Sequence, residues 1–250
     1  MTPGDKLEQM DLDSFCGDVL VVTPLYPKPE NKYLCAFVHS RVQTYLAAGL
    51  SVDVASCAFD GRCSRYEFEG VTVNCIPLDD LQMLLRHRTY RVIAVHFLEP
   101  AYARVLESCD LHDSHILIWA HGAETLYWDR PVFASRYFSR PYVFGPDETA
   151  DCKNRDAILR RFNQMPNVTF VFVSDFVKKR SEELTGITWN DGRVIHNPVD
   201  LDLFAYREKD VELRKKVFCA RKFDNYSSYA MDIVTRTILE LSRRPCFSDM

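Results

Sequence analysis

The chain has 250 residues, 47% apolar and 26% charged, and 31 Lys and Arg against 35 Asp and Glu leave a net charge of −4. That balance belongs to an ordinary soluble globular protein and carries no electrostatic footprint for nucleic acid, so no nucleic-acid partner is expected. Nine scattered cysteines, without CxxC pairs or zinc spacing, exclude a disulfide framework and a zinc module and read as thiols of a reducing compartment.

The first residues, MTPGDKLEQMDLDSF, are acidic and polar, unlike a signal peptide, and 1–15 are expected to be a disordered leader. No apolar run approaches the roughly 20 residues of a membrane span. The expected location is therefore cytoplasmic, with peripheral contact at the inner face of a membrane left open.

Residues 18–23 (DVLVVT) form an apolar run that suits a buried strand. It ends in PLYPKPEN, too rich in Pro for helix or central strand. Residues 36–48 carry helical spacing, with Phe37, Val38, Val42, Tyr45 and Leu46 on one face, and Gly49 stops the helix. A strand at 52–55 completes a βαβ unit. Its first loop holds no Gly, which disfavours a dinucleotide cofactor there.

Residues 66–76 alternate around Gly70 as an edge hairpin. A helix is expected at 78–88 with Leu81, Leu84 and Leu85 inward, a buried strand at 91–97, and a helix opened by Pro100 that runs to about residue 109. Residues 116–120 (ILIWA) form the central strand. The apolar run breaks at His121-Gly122-Ala123-Glu124, where an open α/β sheet places its ligands. The bland alternative is that His121 caps the strand and Glu124 is solvated.

Residues 125–147 are irregular, aromatic and basic. They suit a sugar or lipid-linked acceptor, or simply a loop packed on its own domain. A helix at 149–162 carries Arg155, Arg160 and Arg161, read as a solvated face or a membrane-surface face. A strand at 168–173, a helix capped by Ser174 and closed by Gly186, and a short strand at 193–196 follow. Beyond a charged connector the pattern restarts with a strand at 216–220 and a helix at 229–243. The expected class is α/β: a Rossmann-like parallel sheet with helices on both faces, followed by an incomplete second α/β domain.

VLVVTPLYPKPEN followed by AFVHSRVQTYLAAGLSVDV resembles the opening of retaining family-4 glycosyltransferases of the GT-B fold. The strand ends HFLEP and HGAE, the helix VSDFVKKRSEELTG, the turn VIHNPVDLDLF and the run KKVFCARKF are similar to successive parts of that family, covering about 17–243. The resemblance implies an acceptor-side Rossmann-like domain over 16–200, a connector over 201–214 and the start of a nucleotide-sugar-binding domain over 215–250. It implies a hexosyltransferase of polysaccharide biosynthesis, moving a sugar with retention from a UDP- or GDP-sugar to a glycan or lipid-linked acceptor. No metal and no other cofactor is implied. His121 would be catalytic, hydrogen-bonding the donor sugar. Glu124, His96, Trp128 and Arg130 would bind acceptor, and Arg221 would hold the donor diphosphate.

The sequence departs from the family pattern in three places. Asn31-Lys32-Tyr33 stands where a Gly-Gly is common, Ser227 and Ser228 occupy the diphosphate Lys positions, and the acidic E-x7-E region would lie beyond residue 250. The 250-residue chain alone is therefore expected to be inactive. The competing class is a catalytically inactive truncated GT-B chain, or a partner subunit to which a second chain supplies the donor site.

Overall fold

A computed structural model describes residues 11–57, 63–130, 143–202, 204–212, 231–245 and 247. The chain divides into two compact units, Met1–Tyr127 with Thr149–Val199, and Trp128–Glu148 with Asp200–Met250.

The first unit is built on one sheet of eight strands. In chain order its elements are β1 Val19–Thr23, α1 Ala36–Ala47, β2 Val52–Ser56, β3 Ser64–Phe68, β4 Val71–Cys75, α2 Leu78–His87, β5 Val92–His96, α3 Pro100–Glu107, β6 His115–Ala120, α4 Pro146–Asn163, β7 Val168–Phe172, α5 Asp175–Thr185 and β8 Gly192–Val194. The strand order is β3-β4-β2-β1-β5-β6-β7-β8. Every pairing is parallel except that of β3 with β4, the expected edge hairpin. The fold is therefore the expected α/β, Rossmann-like one.

The central strands are apolar because both faces are covered: all five residues of β1 and all five of β7 are buried. Helix signals act where the chemistry demands. Asp79 and Asp80 open α2, and Arg86 and His87 close it, complementing the helix dipole. Pro100 takes the first turn of α3, where its missing N–H costs nothing. The Ser174 hydroxyl accepts from Val177 N at 3.2 Å, and Gly186 ends α5 at φ 63°.

Residues 11–15 correct the expected leader. Asp11 caps a 3-10 turn over Leu12–Ser14, and Phe15 is buried. Just beyond, Asp53 of β2 accepts from Gly17 N at 2.9 Å, Cys16 N at 3.2 Å and the Tyr90 hydroxyl at 3.0 Å. A Cβ at Gly17 would meet Asp53 N at 2.9 Å, so the close approach needs glycine. Helix α4 begins at Pro146, three residues before the expected start.

Among its described residues the second unit contains one long helix, α6 Met231–Ser242. Trp128 meets Phe144 edge to face at 5.9 Å, and Gly145 N donates to a Glu148 carboxylate oxygen at 2.9 Å. The strand expected at 216–220 lies outside the described residues. No described helix is long and apolar enough to cross a membrane.

Candidate active site

The strand order reverses between β1 and β5: from β1 the chain steps to β2 on one side, and β5 to β8 build outward on the other. A crevice forms at the carboxyl ends of strands at such a switch point, and open α/β sheets bind ligands there. The loop after β1 is fixed by side-chain contacts to α1 and β3. The Tyr26 hydroxyl and His39 Nδ1 are 2.8 Å apart, and the Tyr66 hydroxyl donates to Pro27 O at 3.0 Å. Helix α1 brings Phe37 to the loops after β5 and β6, its ring centroid 6.0 Å from that of Phe97 and 4.6 Å from that of His121.

His96 is the last residue of β5, and His121 directly follows β6. Their rings stack with centroids 5.2 Å apart, and His96 Nδ1 lies 2.9 Å from His121 Nε2. His96 is 1% exposed and lies parallel to Trp119 at 5.7 Å. His121 is half-buried, with Phe37 and Phe97 each 4.6 Å from its ring centroid. Burial, and secondarily the Arg41 guanidinium, push the His121 imidazole down to about 4. Burial, His121 and Arg41 push His96 well below the ordinary range. Both rings are therefore neutral at pH 7, which suits hydrogen bonding to a ligand better than proton donation to it.

Glu124 does not sit where an exposed acid would. It is 1% exposed, and its Oε1 accepts from the His121 backbone N at 2.7 Å. Gly122 enters the turn at φ 112°, a backbone open to glycine, and Leu126 N returns to Gly122 O at 2.7 Å. Burial raises the Glu124 carboxyl to about 7, against the lowering effect of the backbone N–H groups around it. Glu124 Oε2 and the Thr125 hydroxyl are buried without a partner. The solvated-acid reading of Glu124 is thus corrected: the carboxyl braces the turn that carries His121. The burial of His96 likewise puts it behind His121 rather than at the surface of the crevice.

Arg41 and Phe97 had no place among the sequence candidates. Arg41, on α1, is 6% exposed and stands 3.9 Å over the Trp119 ring. It donates to His196 O at 2.9 Å and Asn197 Oδ1 at 3.4 Å. Among the described residues no carboxylate pairs with it, so its positive charge bears directly on the two imidazoles. Phe97 adopts φ 62°, a left-handed conformation that costs a bulky side chain energy and often marks a functional turn.

The remaining site candidates belong to the second unit or lie outside the described residues. Trp128 is half-buried and Arg130 exposed in the second unit, and Arg221 lies outside the described residues. Glu99 pairs with Arg155 at 3.0 Å, which also pairs with Asp151 at 3.0 Å. Arg161 pairs with Glu107 at 2.9 Å, and Arg160 donates to Thr185 O. Each α4 arginine thus has a partner within the fold, while Arg160 and Arg161 are themselves exposed. No group of three or more potential metal ligands occurs among the described residues. Compared with family models and with curated proteins, the chain matches none of them.

Proposed function

We propose that the first unit is the acceptor side of a retaining sugar transferase, which passes a sugar from a UDP- or GDP-sugar to a glycan or lipid-linked acceptor. The observation that carries this reading is the place of the His121 imidazole, at the carboxyl end of β6 in a parallel sheet, stacked on His96 and with Phe37 and Phe97 each 4.6 Å from its ring centroid. Glycosyl transfer with retention develops charge on the sugar ring and the departing diphosphate. Preplaced hydrogen-bond donors lower that barrier without an ionised nucleophile. A neutral imidazole offers such a donor. Glu124 and His96 act behind it by fixing backbone and ring.

Nucleotide release from UDP- and GDP-sugars, with glycan and lipid-phosphate acceptors, tests the reading in the chain alone and together with a donor-side domain. The expected result is acceptor-dependent release in the combined sample, falling by about 10²–10³ in His121→Ala. Undiminished release by His121→Ala would remove that residue from the chemistry. No release with any donor and acceptor would end the transferase reading.

A further inference from the structure

We propose that His96 is a positioning residue that fixes the tautomer of His121, placing its proton on Nδ1 so that the site offers a hydrogen-bond donor to a ligand oxygen. The inference takes from the proposed function only that His121 faces ligand.

The 2.9 Å contact between His96 Nδ1 and His121 Nε2 requires one donor and one acceptor. If His121 Nε2 donates, His96 must accept at Nδ1 and carry its own proton on Nε2. That nitrogen is buried and has no partner. An N–H left there would forfeit a strong donor in a water-free position, which is costly. If instead His96 Nδ1–H donates, His96 Nε2 is an unprotonated nitrogen beside apolar surroundings, the cheaper of the two states. His121 Nε2 then accepts, and its proton must reside on Nδ1. Charging either ring would remove the ambiguity, but burial and Arg41 hold both neutral at pH 7.

The surroundings lock the arrangement. His96 lies within 4° of parallel to Trp119, which fixes its ring plane. Phe37 and Phe97 fix that of His121. Glu124 holds the His121 backbone at 2.7 Å. With Nε2 occupied by His96, Nδ1–H is the imidazole's one remaining donor. Its counterpart in a ligand is an oxygen that accepts: a sugar hydroxyl, a ring oxygen or a phosphate oxygen.

Long-range ¹H–¹⁵N spectra of the full chain at pH 7, without ligand, read the tautomer directly. Wild type should show His121 with a protonated-type Nδ1 and a bare-type Nε2. His96→Ala removes the donor and leaves a space in which water can pair either tautomer, so the His121 population should shift toward the Nε2–H form. A wild-type His121 protonated on Nε2, or a tautomer unchanged in His96→Ala, overturns the proposal. Should His96→Ala not fold, the wild-type spectrum still decides. Because no sugar is present, this test can fail while the transferase reading stands, and the reverse.

Discussion

The Glu124 carboxyl accepts the His121 backbone N–H at 2.7 Å while its second oxygen is buried without a partner. A neutral carboxylic acid fits that environment, and burial accounts for a carboxyl raised from 4.5 to about 7. Glu124→Gln keeps a carbonyl acceptor for the His121 N–H and should cost little. Glu124→Ala leaves that N–H unpaired and should lose about 1–3 kcal/mol. Chemical denaturation of the two variants distinguishes a brace from a solvated acid, for which neither change would matter.

The same contact gives a pH signature. A carboxyl whose folded value is raised contributes stability that is present below the unfolded value, near 4.5, and lost as pH rises through about 7. His121 acts oppositely: its value is lowered from 6.5 to about 4, so its contribution is present above 6.5 and lost as pH falls through 4. Over pH 4.5–6.5 the two slopes oppose each other in wild type. Glu124→Gln removes one of them. Its stability relative to wild type should rise between pH 4 and pH 8 by up to about 3 kcal/mol, at 1.36 kcal/mol per pKa unit. Urea titrations at successive pH values measure this, and a constant difference would place Glu124 in solvent.

Arg41 should be felt at His121 over and above burial. In Arg41→Met the long apolar stem can still lie against Trp119, but the charge is gone. The His121 titration midpoint, followed by NMR, should move up toward the ordinary histidine range. An unchanged midpoint would mean that burial alone lowers it.

Phe97 carries a backbone that only glycine adopts without cost. Phe97→Gly and Phe97→Ala both remove the ring contacts to Phe37 and His121. They differ in the Cβ that the left-handed conformation disfavours. Phe97→Gly should therefore be the more stable by about 1–2 kcal/mol. Thermal melts of the pair check it, and equal stability would mean that residue 97 relaxes out of the left-handed region.

The thiols should react in order of exposure. Cys16 is exposed, whereas Cys57 is buried and its thiol is pushed up by desolvation and by the neighbouring Cys75. Timed alkylation at pH 8 with peptide mapping should, among the described cysteines, label Cys16 well before Cys57. Rapid labelling of Cys57 would show that the end of β2 opens.

Much of the scaffold was legible because buried parallel strands impose unbroken apolar runs, as in VLVVT and ILIWA, and helix ends impose Pro100, Ser174 and Gly186. The break after Ala120 also pointed to His121, since polarity seldom returns so sharply except at a strand end. Burial of Glu124 was not legible: beside Gly122 and Ala123 an acid looks solvated until its bond to the His121 N–H is seen. Arg41 was hidden because its acceptor, His196 O, is 155 residues away, and no local pattern encodes that pairing. Phe97 gave no signal because left-handed backbone is advertised by Gly or Asn, not by Phe. Asp11 and Phe15 were passed over within a polar stretch, although one caps a turn and the other is buried.

The central claim is that ligand binds at the crevice where the strand order reverses, with His121 at its edge. Amide shift mapping of the full chain during titration with short glycans and with lipid-phosphate acceptors tests it most directly. The account expects the largest changes in the loop after β1, at residues 96–99 and at residues 121–126, and expects them to shrink in His121→Ala. Changes centred instead on the cavity of about 290 Å³ lined by Leu106, Leu111, Ile116 and Phe162 would contradict it, because that cavity lies at the amino-terminal ends of β6 and β7.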